Sequence, residues 1–397
     1  MSTALLDCEK ILAAINKALK DKDKPVALHE PSFRGNEWAY VKECIDTGWV
    51  SSVGSYVERF EKDLAEITGV KKAIATVNGT AALHVSCLLA GVEAGDEVLT
   101  PALTFIATTN AVSYCGAVPH FGDSELRTLG MDPTALSAYL SEVAEVRADS
   151  CFNKRTGRRI RAAVPMHTFG HPIDIDAMVE VCNRFKIVLI EDAAESLGAL
   201  YKGRHTGQWG KVAALSFNGN KIVTTGGGGA ILTNDEKLGT LAKHLTTTAK
   251  LPHRWEFNHD QIGFNYRMPN INAAMGCAQL EQLPQFIAQK RRLTEQYLAA
   301  FHDVAGVSIF REQEFARSNY WLNVMLLDPV HCESRDLLLE KLNESKIQSR
   351  PAWTLMYRLP MYNQCPRMEC PVAEDISARL INIPSSACLA GTEYPDE

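Results

Sequence analysis

The chain of 397 residues has no apolar run long enough to span a bilayer, no Cys-x-x-Cys pair and no surplus of positive charge. The first absence argues against a membrane-spanning helix. The second, with eleven cysteines scattered from Cys8 onward, removes the usual signs of a zinc or dithiol site and leaves reduced, mostly buried thiols. A formal net charge of −6 gives none of the basic excess that nucleic acid or an anionic membrane demands. Two nucleotide patterns are missing as well. No Gly-x-x-x-x-Gly-Lys-Ser/Thr loop occurs, and no Gly-x-Gly-x-x-Gly follows the first expected strand, which places a nicotinamide oxidoreductase last among the enzyme classes considered. The N-terminal MSTALLDCEK lacks the basic region and apolar core of a signal peptide, so the expectation is a cytoplasmic protein acting on small molecules.

What is there is ordinary for a soluble chain: 46% hydrophobic, 22% charged, and long enough for one large domain with a sizeable core plus a smaller one. Residues 55–67, SYVERFEKDLAEI, repeat apolar side chains at Val57, Phe60, Leu64 and Ile67. They open with the capping box Ser55-x-x-Glu58 and stop at Gly69, which predicts an amphipathic helix. After it the pattern alternates. The apolar run AIATV at 73–77 is broken by Asn78-Gly79-Thr80 and followed by the helical AALHVSCLLAG; DEVLTP precedes TFIATTNAVSYCG; RAAVPMHTFG precedes DIDAMVEVCNRF; KIVLIEDA, AALSF and GAILTN complete the series. Alternation of this kind implies a mostly parallel sheet covered by helices on both faces.

Ligands of such sheets sit beyond the carboxyl ends of the strands. At the first end, Gly79 lets the backbone approach closely, and the Thr80 hydroxyl with the free N–H groups of the next helix makes a phosphate seat, though Asn-Gly is also a common tight turn. At the end of KIVLI stand Glu191 and Asp192. Two carboxylates on a buried strand are costly, and one of them should have a cationic partner; a helix cap or a solvated loop is the plainer alternative. Ser216 is a second hydroxyl at a strand end, and Phe105 an aromatic beyond a third, where core packing would also explain it. Lys221 lies between Ser216 and four consecutive glycines, Gly226 to Gly229. That order reverses a phosphate loop, leaving either a surface turn or an amine placed to attack a carbonyl.

Together a phosphate seat, a carboxylate, an aromatic and a lysine match the needs of pyridoxal 5'-phosphate, with Lys221 holding the aldehyde and Asp192 keeping the pyridine nitrogen protonated. Lys221, once displaced, would be a base, for which its amine must be neutral. The glycine run would let a neighbouring strand pass close to the lysine and the cofactor.

The motifs NGTAALH, TPALTFIATTNAV, IEDAAESLGA, SFNGNK and GFNYRMPNINAAMG, in that order, resemble the DegT/DnrJ/EryC1/StrS family of sugar aminotransferases across nearly the whole chain. The resemblance implies an α/β fold of the aspartate aminotransferase-like type I: a large domain with a mostly parallel seven-stranded sheet between helices and a small α+β C-terminal domain. The expected division is an N-terminal helical segment at 1–30, the large domain at 31–290 and the small one at 291–397. It also implies roles: Lys221 as Schiff-base lysine, Asp192 at the ring nitrogen, and Gly79, Thr80 and Ser216 on the phosphate. Phe105 would stack on the ring, Ala194 lie under its other face and Glu195 stand near its hydroxyl. Asn265 would reach the phosphate of a neighbouring subunit, so a homodimer with shared sites is expected.

Two departures from the family pattern stand out: the glycine run lacks a carboxylate common in the family, and Glu195 occupies a position often held by glutamine or histidine. With NGNKIVTT and NYWLN, they are most similar to the branch that aminates C4 of UDP-4-keto-6-deoxy-N-acetylglucosamine toward legionaminic acid or bacillosamine. The implied reaction is a two-half transamination through pyridoxamine phosphate, with L-glutamate as donor. Tyr320, Trp321, Asn323, Arg350 and Trp353 could frame the nucleotide sugar, although small-domain packing explains the aromatics equally. A sugar dehydratase on the same scaffold usually has histidine at the lysine position, and a non-catalytic phospholigand binder would not need both Lys221 and Asp192. His167 and His171 have metal-like spacing but sit in a Gly/Pro loop, and no metal is expected.

Overall fold

Seven strands form the path of the central sheet: β1 Lys72–Thr76, β2 Glu97–Pro101, β3 Val118–Gly122, β4 Arg159–Ala163, β5 Val188–Asp192, β6 Val212–Ser216 and β7 Gly229–Thr233. They lie in the order β1-β7-β6-β5-β4-β2-β3. β7 is antiparallel to both its neighbours, while every pair from β6 to β3 is parallel. Parallel neighbours require crossovers. Helices Gly79–Leu89, Ile106–Tyr114 and Ile175–Phe185 are among those that supply them. A hairpin, Ala144–Arg147 with Ser150–Asn153, adds to β4 and brings the sheet to nine strands, two more than the sequence suggested. This computed structural model describes residues 6–20 and 25–391. The expected N-terminal and C-terminal segments therefore extend, at 1–5, 21–24 and 392–397, outside the described residues.

Burial on both faces explains why β2 and β7 are buried at every residue; β7 reads as a nearly continuous apolar run, whereas β2 carries the buried Glu97 and Thr100 among its apolar residues. β3 was not legible, because VPHFG carries a proline and a histidine. An edge strand tolerates the first, and the second is fully buried in a polar network, its Nδ1 2.9 Å from Glu97 Oε2 and its Nε2 2.9 Å from the Tyr139 hydroxyl.

The helix Ser55–Thr68 ends at Gly69 in the left-handed conformation, but it starts differently from the expected capping box. Gly54 takes the cap position and Ser55 is already helical. Asn270, from the start of the helix Asn270–Glu281, does the capping: its Oδ1 accepts from the N–H groups of Tyr56 (3.1 Å) and Val57 (3.3 Å). A Cβ at Gly54 would lie 2.3 Å from that side chain, so glycine is needed there for space.

The C-terminal part forms a second, antiparallel sheet of Val307–Ile309, Asn323–Leu327, Leu380–Ile383 and Arg350–Pro351, in that order. Its core includes Leu293, Tyr297, Met325, Leu338 and Ile381, and it takes in Ile11 and Ile15 of the helix Cys8–Ala18. The N-terminal helix thus packs with the small unit. Residue 290 falls inside the continuous helix Leu283–Ala300, which joins the two units. Where they meet, Gly170 (φ +92°) abuts Asn319, whose Nδ2 donates to the carbonyls of Glu195 and Leu197, 2.9 Å each.

Candidate active site

The ends of β1, β5 and β6 open on a cavity of about 280 Å³ lined by Gly79, Thr80, Phe105, Asp192, Ala194, Glu195, Ser216 and Lys221, with Trp321 and Trp353 contributed by the small unit. Eight of the nine residues expected to hold a cofactor are therefore brought together in one chain. The ninth, Asn265, is exposed and accepts from the Arg267 guanidinium, away from this cavity.

One wall is a helix start fitted against a strand end. Asn78 caps the helix Gly79–Leu89 by accepting from the Ala81 N–H (2.8 Å), which leaves the N–H groups of Gly79 and Thr80 without a partner among the described residues. Free donors at a helix N-terminus attract an anion. Ser216 closes on them because position 79 has no Cβ: one there would lie 2.8 Å from Ser216 Cβ and 3.0 Å from its hydroxyl. Gly229 has a related job. A Cβ on it would come within 2.5 Å of the Asn78 backbone, so the end of the glycine run lets β7 pass the phosphate-seat turn, where the sequence reading had it pass the lysine.

The opposite wall separates the two adjacent carboxylates. Glu191 is fully buried and accepts from His167 Nε2 (3.1 Å) and from the N–H groups of Gly207 (2.8 Å), Trp209 and Gly210 (2.7 Å each). Burial works to raise its pKa, but His167 and these amides outweigh it, and the carboxyl titrates below its ordinary value. Glu191 is thus the paired structural acid. Asp192 faces the cavity, accepts from the Thr108 hydroxyl (2.6 Å) and the Ala194 N–H (3.1 Å), and makes no ion pair among the described residues. Burial pushes its pKa up, against the lowering pull of those bonds and of the more distant Lys221 and His167. It is a buried anion in want of a cation.

Lys221 follows a turn closed by its own N–H to the Asn218 carbonyl, and its amine lies 3.2 Å from Glu195 Oε1 and 3.8 Å from the centroid of the Trp321 ring. The other oxygen of Glu195 accepts from the Phe169 N–H at 2.8 Å. Burial raises the Glu195 pKa to about 7, with Lys221 pulling it down and Asp192 adding to the rise. Phe169 adopts φ +55°, a strained conformation for an aromatic residue, and its ring stacks on Trp353 at 4.8 Å. Trp353 in turn meets Phe105 edge-on at 6.2 Å.

Of the five residues expected around the substrate, Trp321 and Trp353 line the cavity and three do not. Tyr320 is buried, and its hydroxyl accepts from the Glu312 N–H. Asn323 is buried and accepts from Thr294. Both serve the small unit's own packing, which is why an aromatic and an amide there gave a misleading signal. Arg350 is exposed on a short strand beside Asn382. Sequence reasoning missed Thr108 and Phe169 and misjudged His167: Thr108 acts on a carboxylate from the helix Ile106–Tyr114, and His167 and Phe169 act on two others from one loop, a placement of which spacing carries no trace. His171 does not join His167: it is buried between Phe310 and Tyr320 with burial driving its pKa to about 3. Among the described residues no three His, Cys, Asp or Glu cluster as metal ligands.

The donor set fits a flat ring bearing a phosphate at one end and a basic nitrogen at the other. Free amides and a hydroxyl stand at Gly79, Thr80 and Ser216, an unpaired buried carboxylate at Asp192, and a primary amine between them.

Residues 31–394 match the sequence model of the DegT/DnrJ/EryC1/StrS aminotransferase family. GDP-perosamine synthase of Escherichia coli O157:H7 is 36% identical over 370 residues, covering 93% of this chain and 96% of that protein. The synthase of Caulobacter vibrioides is 37% identical over 367 residues, 92% and 94% of the two chains. The fold superimposes on the crystal structure of DesI in the presence of its TDP-sugar product with a TM-score of 0.80 and 27% identity, covering 93% of this chain and 91% of that one.

Proposed function

Because the chain belongs to the DegT/DnrJ/EryC1/StrS aminotransferase family and is a pyridoxal phosphate-dependent sugar aminotransferase, we propose that it moves an amino group from L-glutamate to C4 of a nucleotide-linked 4-keto-6-deoxy sugar. The observation that carries the reading is that one cavity is lined both by the buried Asp192, which has no ion pair among the described residues, and by the Lys221 amine. When bound, the cofactor supplies a reactive carbonyl and an electron-accepting ring. Asp192, oriented by the Thr108 hydroxyl and the Ala194 N–H, would then hold a proton on the ring nitrogen. Gly79, Thr80 and Ser216 would hold the phosphate, Phe105 and Ala194 would lie against the ring, and Lys221 would move the proton at the reacting carbon. Glu195 orients the lysine through one carboxylate oxygen while the other ties down Phe169, and hence the Trp353 wall.

A homodimer with composite sites completes the proposal. Asn265 is exposed, and its chain neighbourhood presents Trp255, Phe257 and Ile262 at 69%, 75% and 86% exposure, apolar side chains that a partner subunit would cover.

Two nucleotides are supported by different observations. The perosamine synthases, at 36–37% identity over nearly the full chain, favour a GDP-linked sugar. Glu195, the Gly226–Gly229 run and NYWLN favour the UDP-linked N-acetyl sugar of legionaminic acid or bacillosamine synthesis. Offering the two 4-keto-6-deoxy substrates together with glutamate, and identifying the amine formed by NMR, decides between them. Amination of neither, with turnover of a ketosugar carrying its keto group elsewhere, would overturn the proposal.

A further inference from the structure

Trp321 was expected to frame the nucleotide, but its contacts run to the lysine. Its indole Nε1–H donates to the Asn220 carbonyl at 2.7 Å, and its ring face receives the amine of the next residue, Lys221, at 3.8 Å from the centroid. One side chain of the small unit thus grips two consecutive residues of the catalytic turn. It is itself held from behind. Its backbone N–H donates to Asn319 Oδ1 (2.9 Å), its carbonyl accepts from the fully buried Lys290 amine (3.1 Å), and Tyr320 before it is held at φ +47°. A non-glycine residue in that conformation, two buried anchors and 5% exposure describe a rigid mount. A nucleotide base has little indole face left to stack on while the amine is there.

We propose that Trp321 is the seat of the Lys221 ammonium: a positioning residue whose ring face, opposite the Glu195 carboxylate, holds the amine in place whenever it is free of the cofactor. The inference deepens the proposed transamination and rests on it. Cation–π attraction requires the charged form, so the indole retains a protonated lysine and lets go of a neutral one. The other charged or titratable groups that act on the amine are Glu195 and Asp192 at the end of β5 and His29 from the N-terminal stretch; Lys290 lies behind the indole. Glu195 contributes the ion pair and Trp321 the opposing face, so removal of the ring alone leaves a lysine with one contact in place of two.

The test uses the pyridoxamine phosphate-loaded enzyme, in which the Lys221 amine is free. Competitive acetylation with trace acetic anhydride across pH 6–9, read by mass spectrometry of the Lys221 peptide, reports the neutral fraction of that one amine. Trp321→Leu is expected to label about two- to thirty-fold faster than wild type near pH 7, the range a cation–π contact supplies. Trp321→Phe keeps a ring and should stay within about three-fold of wild type, with kcat lowered more than KM for the nucleotide sugar is raised. Equal labelling of all three proteins, with a large rise in KM for the nucleotide sugar, would overturn the inference and return Trp321 to the substrate. Should the leucine variant fail to fold, wild type still answers: ε-methylene protons of Lys221 must show a ring-current upfield shift in selectively labelled protein, and their absence from that region refutes the seat. Labelling can be repeated on the cofactor-free chain, so failure of amino transfer would sink the proposed reaction without altering this readout.

Discussion

Replacing Glu195 by glutamine should make the cofactor-free protein more heat-stable in alkaline buffer and not in acid. Glu195 is 3% exposed, and burial raises its pKa from the ordinary 4.5 to about 7, the pull of Lys221 being part of that balance. At about 1.4 kcal/mol per pH unit, the ionised carboxylate costs the folded chain about 3 kcal/mol. The sign follows from the folded pKa lying above the unfolded one. An acid so shifted leaves stability intact below about pH 4.5, and stability is lost as pH rises toward 7, because the unfolded chain gives up its proton first. Glutamine keeps one oxygen, for the Phe169 N–H, gives up the ion pair with Lys221, and has no charge to desolvate. With an unfolding entropy of about 2.1 cal/mol/K per residue and 397 residues, about 3 kcal/mol is about 4 °C in Tm. Because part of the cost is already felt at pH 5, differential scanning fluorimetry from pH 5 to pH 8 should show the variant's advantage growing by about 3 °C. A constant difference across that range, or one that grows toward acid, would refute the reasoning. The gain in stability should come with a loss of turnover, since the same carboxylate orients the lysine.

Other perturbations read other parts of the site. Gly79→Ala forces a Cβ to within 2.8 Å of Ser216, and an overpacking penalty of about 1–3 kcal/mol at the phosphate seat should raise the cofactor dissociation constant by about ten- to a hundred-fold in fluorescence titration. Thr108→Val removes the hydroxyl that donates to Asp192; loss of a hydrogen bond to a charged group, about 1.5–3 kcal/mol, should lower kcat by at least about ten-fold with little change in Tm. Asn270→Ala strips the cap from the helix Ser55–Thr68 and should lower Tm by about 1–3 °C, at about 1–2 kcal/mol for a lost cap, leaving KM for the nucleotide sugar unchanged.

The parts of the fold that follow a single period were legible. β6 and β7 are short apolar runs, β2 and β5 are apolar in part, and the residues at or just beyond the ends of β1, β5 and β6 stood out because they break the pattern where ligands bind. β3 was hidden because its interior position is filled by a histidine satisfied by Glu97 and Tyr139, a partnership that only the tertiary structure creates. The capping box at Ser55 misled for the same reason: a side chain 215 residues away took over the helix start. Of the two acids at 191 and 192, the sequence posed the right question and withheld the answer. Their difference lies in His167 and three loop amides that fold onto one and leave the other open. Tyr320 and Trp321 are adjacent aromatics of like composition, and the left-handed turn at Tyr320 sends one into the small unit and the other onto Lys221.

The central claim is that one amine and one acid flank one ring. Loading the protein with pyridoxal phosphate, reducing with borohydride and mapping the modified peptide by mass spectrometry tests it most directly. The account predicts a single adduct on Lys221, absent in Lys221→Ala and strongly diminished in Asp192→Ala; an adduct on another lysine, or equal labelling of all three proteins, would contradict it.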